Sequence, residues 1–304
     1  MANRREQRFG ASGRWLLLAL IVLGSWATSP GSADELRDRI QRDLSDGKDV
    51  VITSYVGLWY QNQQDPAHNL FWGNLYGHSA LFEREREIRR ELPFLSVTGY
   101  ETTLQRTFAD DPIAVKVFGA PVPRDPPSGG RRGRLIIISL AYSHMEQAVH
   151  DLVLHLKRGE IPAVLAKEPA LAPLLAKSYV MGYWGHNVYY GGVSIDDLET
   201  IETAPGDGPR GVFVVGCQTA RWFPQKFLGG GIRPLLFTTT NMAPEAYIAL
   251  ALYDGLARGL DPPAIRRNVA RAYQHYQKLG RMPLTLFVNE SAAIERYQEA
   301  LPPR

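Results

Sequence analysis

The chain has 304 residues, with 34 Lys and Arg against 31 Asp and Glu, 45% hydrophobic residues and a single cysteine. It is too apolar and too evenly charged to be disordered, and it fits one large or two small globular domains. A lone cysteine excludes any intrachain disulfide.

Arg4, Arg5, Arg8 and Arg14 flank or precede the apolar run 15–26, and small residues follow up to Gly31-Ser32-Ala33, the pattern of a secretory signal. Residues 1–33 are therefore expected to be a signal peptide and 34–304 a single domain, exported to the bacterial periplasm or secreted. The run falls short of the roughly 20 apolar residues a permanent span needs, so no stable membrane insertion is expected after cleavage. Removing its four Arg and one Glu leaves 30 bases and 30 acids. That balance gives no electrostatic reason to expect nucleic acid or anionic lipid as a partner.

Leu36, Ile40 and Leu44 recur every fourth residue and predict a short helix ended by Asp46-Gly47. The β-rich run 50–56 is closed by Gly57, and an aromatic-rich segment, 58–82, leads to the charge-dense 83–91, read as the solvated face of a helix. Strands are predicted over 113–118 and 135–140, separated by an exposed Pro/Gly/Arg loop at 121–133 that carries Arg131-Arg132 as a candidate processing site. Ser143 and Glu146 have capping-box spacing ahead of an apolar helical face that runs from Met145 to Leu156 and stops at Gly159. Residues 161–177, interrupted by three prolines, predict short helical pieces. Strands at 179–183, 212–215 and 235–238 then alternate with helices near 195–201 and 244–258, and a last helix starts at Asp261-Pro262. Apolar strands alternating with helices imply an α/β fold, a mostly parallel sheet covered on both faces.

Strand 179–183 runs into Gly185-His186-Asn187, and strand 212–215 into Gly216-Cys217-Gln218-Thr219. The connection between them is long enough for a crossover, so the strands are expected to be parallel neighbours, with His186 and Cys217 at their carboxyl ends, where open α/β sheets place ligand crevices. Glycine before each lets the backbone turn sharply. A neighbouring imidazolium would lower the thiol pKa, the imidazole could protonate a leaving amine, and backbone N–H groups in the turns could hold an oxyanion.

A strand ending in Gly-His followed by one ending in small-Cys-Gln-Thr resembles the caspase-like cysteine peptidases, which include caspases, gingipains, separase and CHAT-type bacterial domains. The resemblance covers residues 134–279, and the strand and helix at 233–258 look like those that follow the cysteine strand there. The segments around Asp65-Pro66-Ala67-His68-Asn69, Gly185-His186-Asn187 and Met242-Ala243-Pro244-Glu245 also resemble an uncharacterised family of exported bacterial proteins. The resemblance implies a caspase-like core, a dyad of His186 as base and Cys217 as nucleophile, an oxyanion hole from the turns at Gly185, Asn187 and Gly216, and a peptide or protein substrate. Those peptidases usually carry Gly where this chain has Asn187, whose β-carbon would crowd the oxyanion donor.

The aromatic segment offers either plain core or a substrate cleft, with Trp59, Tyr60, Phe71, Trp72 and Tyr76 as wall and Asp65, His68 and Asn69 as polar contacts. Asp196 and Asp197 could select a basic side chain, or serve as helix N-terminal charges. The remaining histidines lack metal-ligand spacing, so neither a metal nor any other cofactor is implied. Gly206–Gly211 matches a dinucleotide pattern by count but precedes a strand, and Gly77-His78-Ser79 lacks the second glycine of a serine elbow. A catalytically silent exported binding protein on the same fold is the competing reading. Oligomeric state is not readable.

Overall fold

The computed structural model describes residues 31–58, 65–123, 132–205 and 208–302. Eight strands form a mixed sheet: β1 (Val50–Gly57), β2 (Glu101–Thr107), β3 (Ala114–Pro121), β4 (Arg134–Tyr142), β5 (Ser178–Gly185), β6 (Arg210–Val215), β7 (Ile232–Thr238) and β8 (Phe287–Val288). Their spatial order is β2-β3-β4-β1-β5-β6-β7-β8. The central five, β4, β1, β5, β6 and β7, are parallel. β2, β3 and β8 each run antiparallel to a neighbour. The expected α/β class with a mostly parallel sheet is what the chain adopts.

Every residue of β1 and of β5 is buried, because helices cover both faces. On one face Val50, Ile52 and Val56 of β1 join Leu36, Ile40 and Leu44 of the helix Gly31–Ser45 and the helices Ala246–Ala257 and Pro262–Tyr276. On the other, Val51 and Tyr55 join Val149, Leu152 and Leu156 of the helix Met145–Arg158. Residues from Gly31 onward form one compact unit. The first helix starts at Gly31, three residues inside the segment read as signal.

Four details depart from the sequence reading. β2 was not expected, and a helix, Ser291–Glu299, follows the one taken as last. The connection between β5 and β6 carries only short 3-10 turns, Val188–Gly191 and Asp196–Thr200. The capping box does not form: His144 is the N-cap residue of Met145–Arg158 and supplies no side-chain cap. Asp111 instead accepts the backbone N–H groups of Ser143 (2.6 Å) and His144 (3.0 Å) from 32 and 33 residues away. The processing-loop residues 124–131 lie outside the described residues, as do Trp59 and Tyr60. No described helix is long and apolar enough to cross a membrane.

Candidate active site

Gly57, Tyr142, Gly185, Val215 and Thr238 end the five parallel strands and so define one carboxyl edge of the sheet. β5 and β6 are adjacent and parallel, with Trp184 opposite Val215. Two residues beyond that pair, His186 and Cys217 leave the sheet side by side in the chain register. Side-chain alternation assigns them to one face: Trp184 and Val215 belong to the core cluster beneath Ala246–Ala257, whereas Tyr183 and Val214 belong to the opposite one. Their contacts agree. The His186 ring meets Phe71 edge-on at 4.9 Å, and the Cys217 Sγ–H donates to the Met242 carbonyl at 3.5 Å; both partners pack with that first cluster.

The glycines ahead of each residue have separate causes. Gly185 sits at φ +150, and a β-carbon there would fall 2.7 Å from the Tyr183 hydroxyl and 2.8 Å from the Gly57 carbonyl. At Gly216 a β-carbon would lie 2.5 Å from the Gly185 carbonyl oxygen. The two turns therefore touch backbone to backbone, closer than any side-chain-bearing residue permits.

Asn187 is not left-handed: it is extended at φ −72 and fully buried. Its Nδ2 donates to the Cys217 carbonyl at 2.7 Å, and its Oδ1 accepts from the Tyr189 N–H at 3.1 Å. The amide thus straps the histidine turn to the cysteine turn, a use the sequence comparison with glycine concealed. Tyr183 braces the histidine turn from its own strand, its hydroxyl donating to the His186 carbonyl at 2.8 Å.

Past Cys217 the chain turns sharply into the helix Thr219–Trp222 through Gln218, which takes the left-handed conformation (φ 52, ψ 36). The Gln218 N–H donates to the Thr240 carbonyl at 3.0 Å, and the Thr219 N–H to Thr238 Oγ1 at 3.3 Å. Below the turn, Thr219 Oγ1 donates to the Val214 carbonyl and Thr238 Oγ1 to the Gly216 carbonyl. With the N–H groups of Gln218 and Thr219 engaged, an oxyanion donor near the thiol has to come from the chain ahead of them. Met242, Tyr183, Thr219 and Thr238 are the supporting residues that sequence reasoning missed. Only the threonine directly after Cys217-Gln218, at the start of a helix, carried a readable signal.

Burial brings the His186 pKa down to about 4. An imidazolium–thiolate pair at rest, the route expected from the sequence, does not fit a ring that is neutral at pH 7. A neutral imidazole has the free lone pair a general base needs to take the thiol proton as the sulfur attacks, while burial makes it a weaker base than an exposed histidine.

Of the residues expected to make an aromatic cleft, Phe71 meets the His186 ring, and four others separate. Asn69 and Trp72 are buried, Asn69 Oδ1 accepting the Phe71 N–H at 2.8 Å and the Trp72 carbonyl accepting Ser79 N–H at 2.8 Å. They shape the loop that delivers Phe71 to His186. Asp65 and His68 pair with each other at 2.7 Å out in solvent. Asp196 is engaged by the buried Lys226 ammonium at 2.7 Å and by the Tyr189 hydroxyl at 2.9 Å, so it does not stand ready for a basic substrate group. His150 lies 3.6 Å from Asp151. Among the described residues no group of three or more His, Cys, Asp or Glu side chains could hold a metal ion.

Comparison with protein-family models, with curated proteins and with solved structures found no match.

Proposed function

We propose that the protein is an exported hydrolase that cleaves a peptide or related amide bond through a His–Cys dyad on a caspase-like core. The observation that carries this reading is the parallel pairing of β5 with β6, which sends His186 and Cys217 off one edge and toward one face of the sheet. In the reaction, neutral His186 takes the Cys217 thiol proton as the sulfur bonds to the carbonyl carbon. The tetrahedral oxyanion collapses with loss of the C–N bond, and the imidazolium returns the proton to the departing amine. An imidazole whose pKa is near 4 is, once protonated, a strong acid for that step. Water, activated by the same ring, then attacks the thioester, releases the acid product and restores the thiol. The backbone of the two turns is assigned the oxyanion.

The Sγ–H···O=C contact to Met242 favours a second reading, a silent binding protein in which the thiol stays protonated and inert. A fluorogenic peptide-library screen of the protein beside Cys217→Ala separates the two. Turnover lost in the variant is the expected result; equal turnover in both proteins removes the mechanism. Iodoacetamide alkylation adds a direct test of the base. A neutral dyad gives a rate that rises toward neutral and alkaline pH and drops about ten-fold or more in His186→Ala. A rate indifferent to the substitution supports the silent scaffold.

A further inference from the structure

Among the described residues, the exposed large apolar side chains are Leu70, Leu75, Tyr190, Leu279, Met282 and Leu284. All six stand on connections at the carboxyl edge of the sheet. Leu70 adjoins Phe71, the residue against the His186 ring. Leu75 precedes Tyr76, whose carbonyl accepts the N–H of Ala246 at the start of the helix that leaves β7. Tyr190 lies in the turn after β5, within electrostatic reach of Cys217. The helix Pro262–Tyr276 returns to this edge, where Gln277 donates to Glu245 at 3.0 Å, so Leu279 lies there as well. Met282 and Leu284 precede β8, which enters antiparallel to β7 with Phe287 opposite Thr238, and Thr239 binds the Leu286 and Thr285 carbonyls.

Single exposed apolar residues need no explanation, but their confinement to the connections at one edge of the sheet does. Interspersed with them are amide and ionic groups, Gln218 bonded to Asn241 and Asp65 bonded to His68, that can meet peptide N–H and C=O groups. We infer that the edge receives an extended polypeptide and seats its large apolar side chains against these residues on either side of the bond to be cut. This rests on the hydrolase reading of His186 and Cys217, and narrows it from any amide to a non-globular protein chain. A lipid surface is the weaker fit, since the apolar side chains stand among hydrogen-bonding groups and the protein carries no basic excess once the leading 33 residues are set aside.

The test uses the Cys217→Ala protein, which binds without turning over, and fluorescein-labelled reduced, carboxymethylated α-lactalbumin as a permanently unfolded probe, read by anisotropy. Leu70→Asp and the double variant Met282→Asp/Leu284→Asp are each expected to raise Kd roughly ten-fold. Ala163→Asp, exposed at the opposite edge, is expected to leave Kd unchanged, and all variants to keep the parent melting temperature. Absence of measurable binding in the folded parent, binding indifferent to the rim charges, or capture by phosphatidylcholine vesicles instead of the probe would each overturn the inference. Because the binding measurement needs no thiol, an inert Cys217 in the alkylation experiment would sink the hydrolase reading without touching this result, and the reverse also holds.

Discussion

Asn187 concentrates the difference between a residue as read and a residue in place. Beside glycine in related motifs it looks like an obstruction, yet here its amide donates to the Cys217 carbonyl and fixes one turn against the other. Asn187→Ala removes that donor and leaves a buried carbonyl without it. The expected result is a loss of about 1–3 kcal/mol in urea unfolding and a lower kcat with KM little changed, because ground-state contacts to substrate are untouched. Gly182 presents the opposite case, a site with no room. A β-carbon there would lie 2.1 Å from the Phe213 ring, within the all-buried β5. Gly182→Ala should destabilise by roughly 1–3 kcal/mol or more and shift the urea midpoint without altering the pH profile of alkylation. The placement of His186 and Cys217 at one edge was legible because each follows a glycine at the end of an apolar run. Its supports were not, since Tyr183, Thr219 and Thr238 look like ordinary strand and helix residues until the fold aims their hydroxyls at backbone carbonyls.

At the scale of elements, the parallel strands were readable because burial on both faces makes each one continuously apolar. β2 escaped for the converse reason. Its sequence Glu-Thr-Thr-Leu-Gln-Arg-Thr is polar throughout and exposed at every position but Leu104, so neither alternation nor an apolar run marks it. Helix starts were located well, and the cap of Pro262–Tyr276 is local, Asp261 accepting the Ala264 N–H at 2.6 Å, but that of Met145–Arg158 is one that local spacing cannot reveal. Asp111 serves Met145–Arg158 from across the fold, with a side chain only 8% exposed and a further bond to His144 Nδ1 at 2.8 Å. Asp111→Ala is expected to cost about 1–2 kcal/mol in thermal unfolding, with Asp111→Asn intermediate because one acceptor oxygen survives. An unchanged melting temperature in Asp111→Ala would show that solvent replaces the cap.

For the whole molecule, acid is the condition to which the fold is most exposed. His78 and His155 are fully buried, and burial drives their pKa values to about 3 and about 4. His155 bonds the Tyr55 hydroxyl at 2.7 Å and the Leu175 carbonyl at 3.0 Å, and burial holds it neutral against the carbonyl, which favours the protonated ring. The His78 ring packs on Trp184 and Phe82 and has no hydrogen-bond partner among the described residues. In the unfolded chain both imidazoles take protons near pH 6.5, whereas in the folded chain they do not until far lower pH. Stability is therefore full above about pH 6.5 and falls as the pH drops toward 4, by up to roughly 3 kcal/mol per pH unit for the two rings together. Asp151 and Asp254, whose carboxyls burial holds above the usual range, oppose this as the pH falls through their raised pKa values, because the folded chain then takes up their protons before the unfolded chain does. Urea midpoints measured from pH 7 to pH 4 should decline steeply, and a flat profile would mean that the rings are reached by water.

The antiparallel margins of the sheet have a further effect. β8 contributes two residues, and β2 carries Glu101, Gln105 and Arg106 outward along its length. A second copy adding a strand at either side would find too short a ladder at one and would have to dehydrate charged groups at the other. The apolar strands in the middle are thereby kept from templating fibrils.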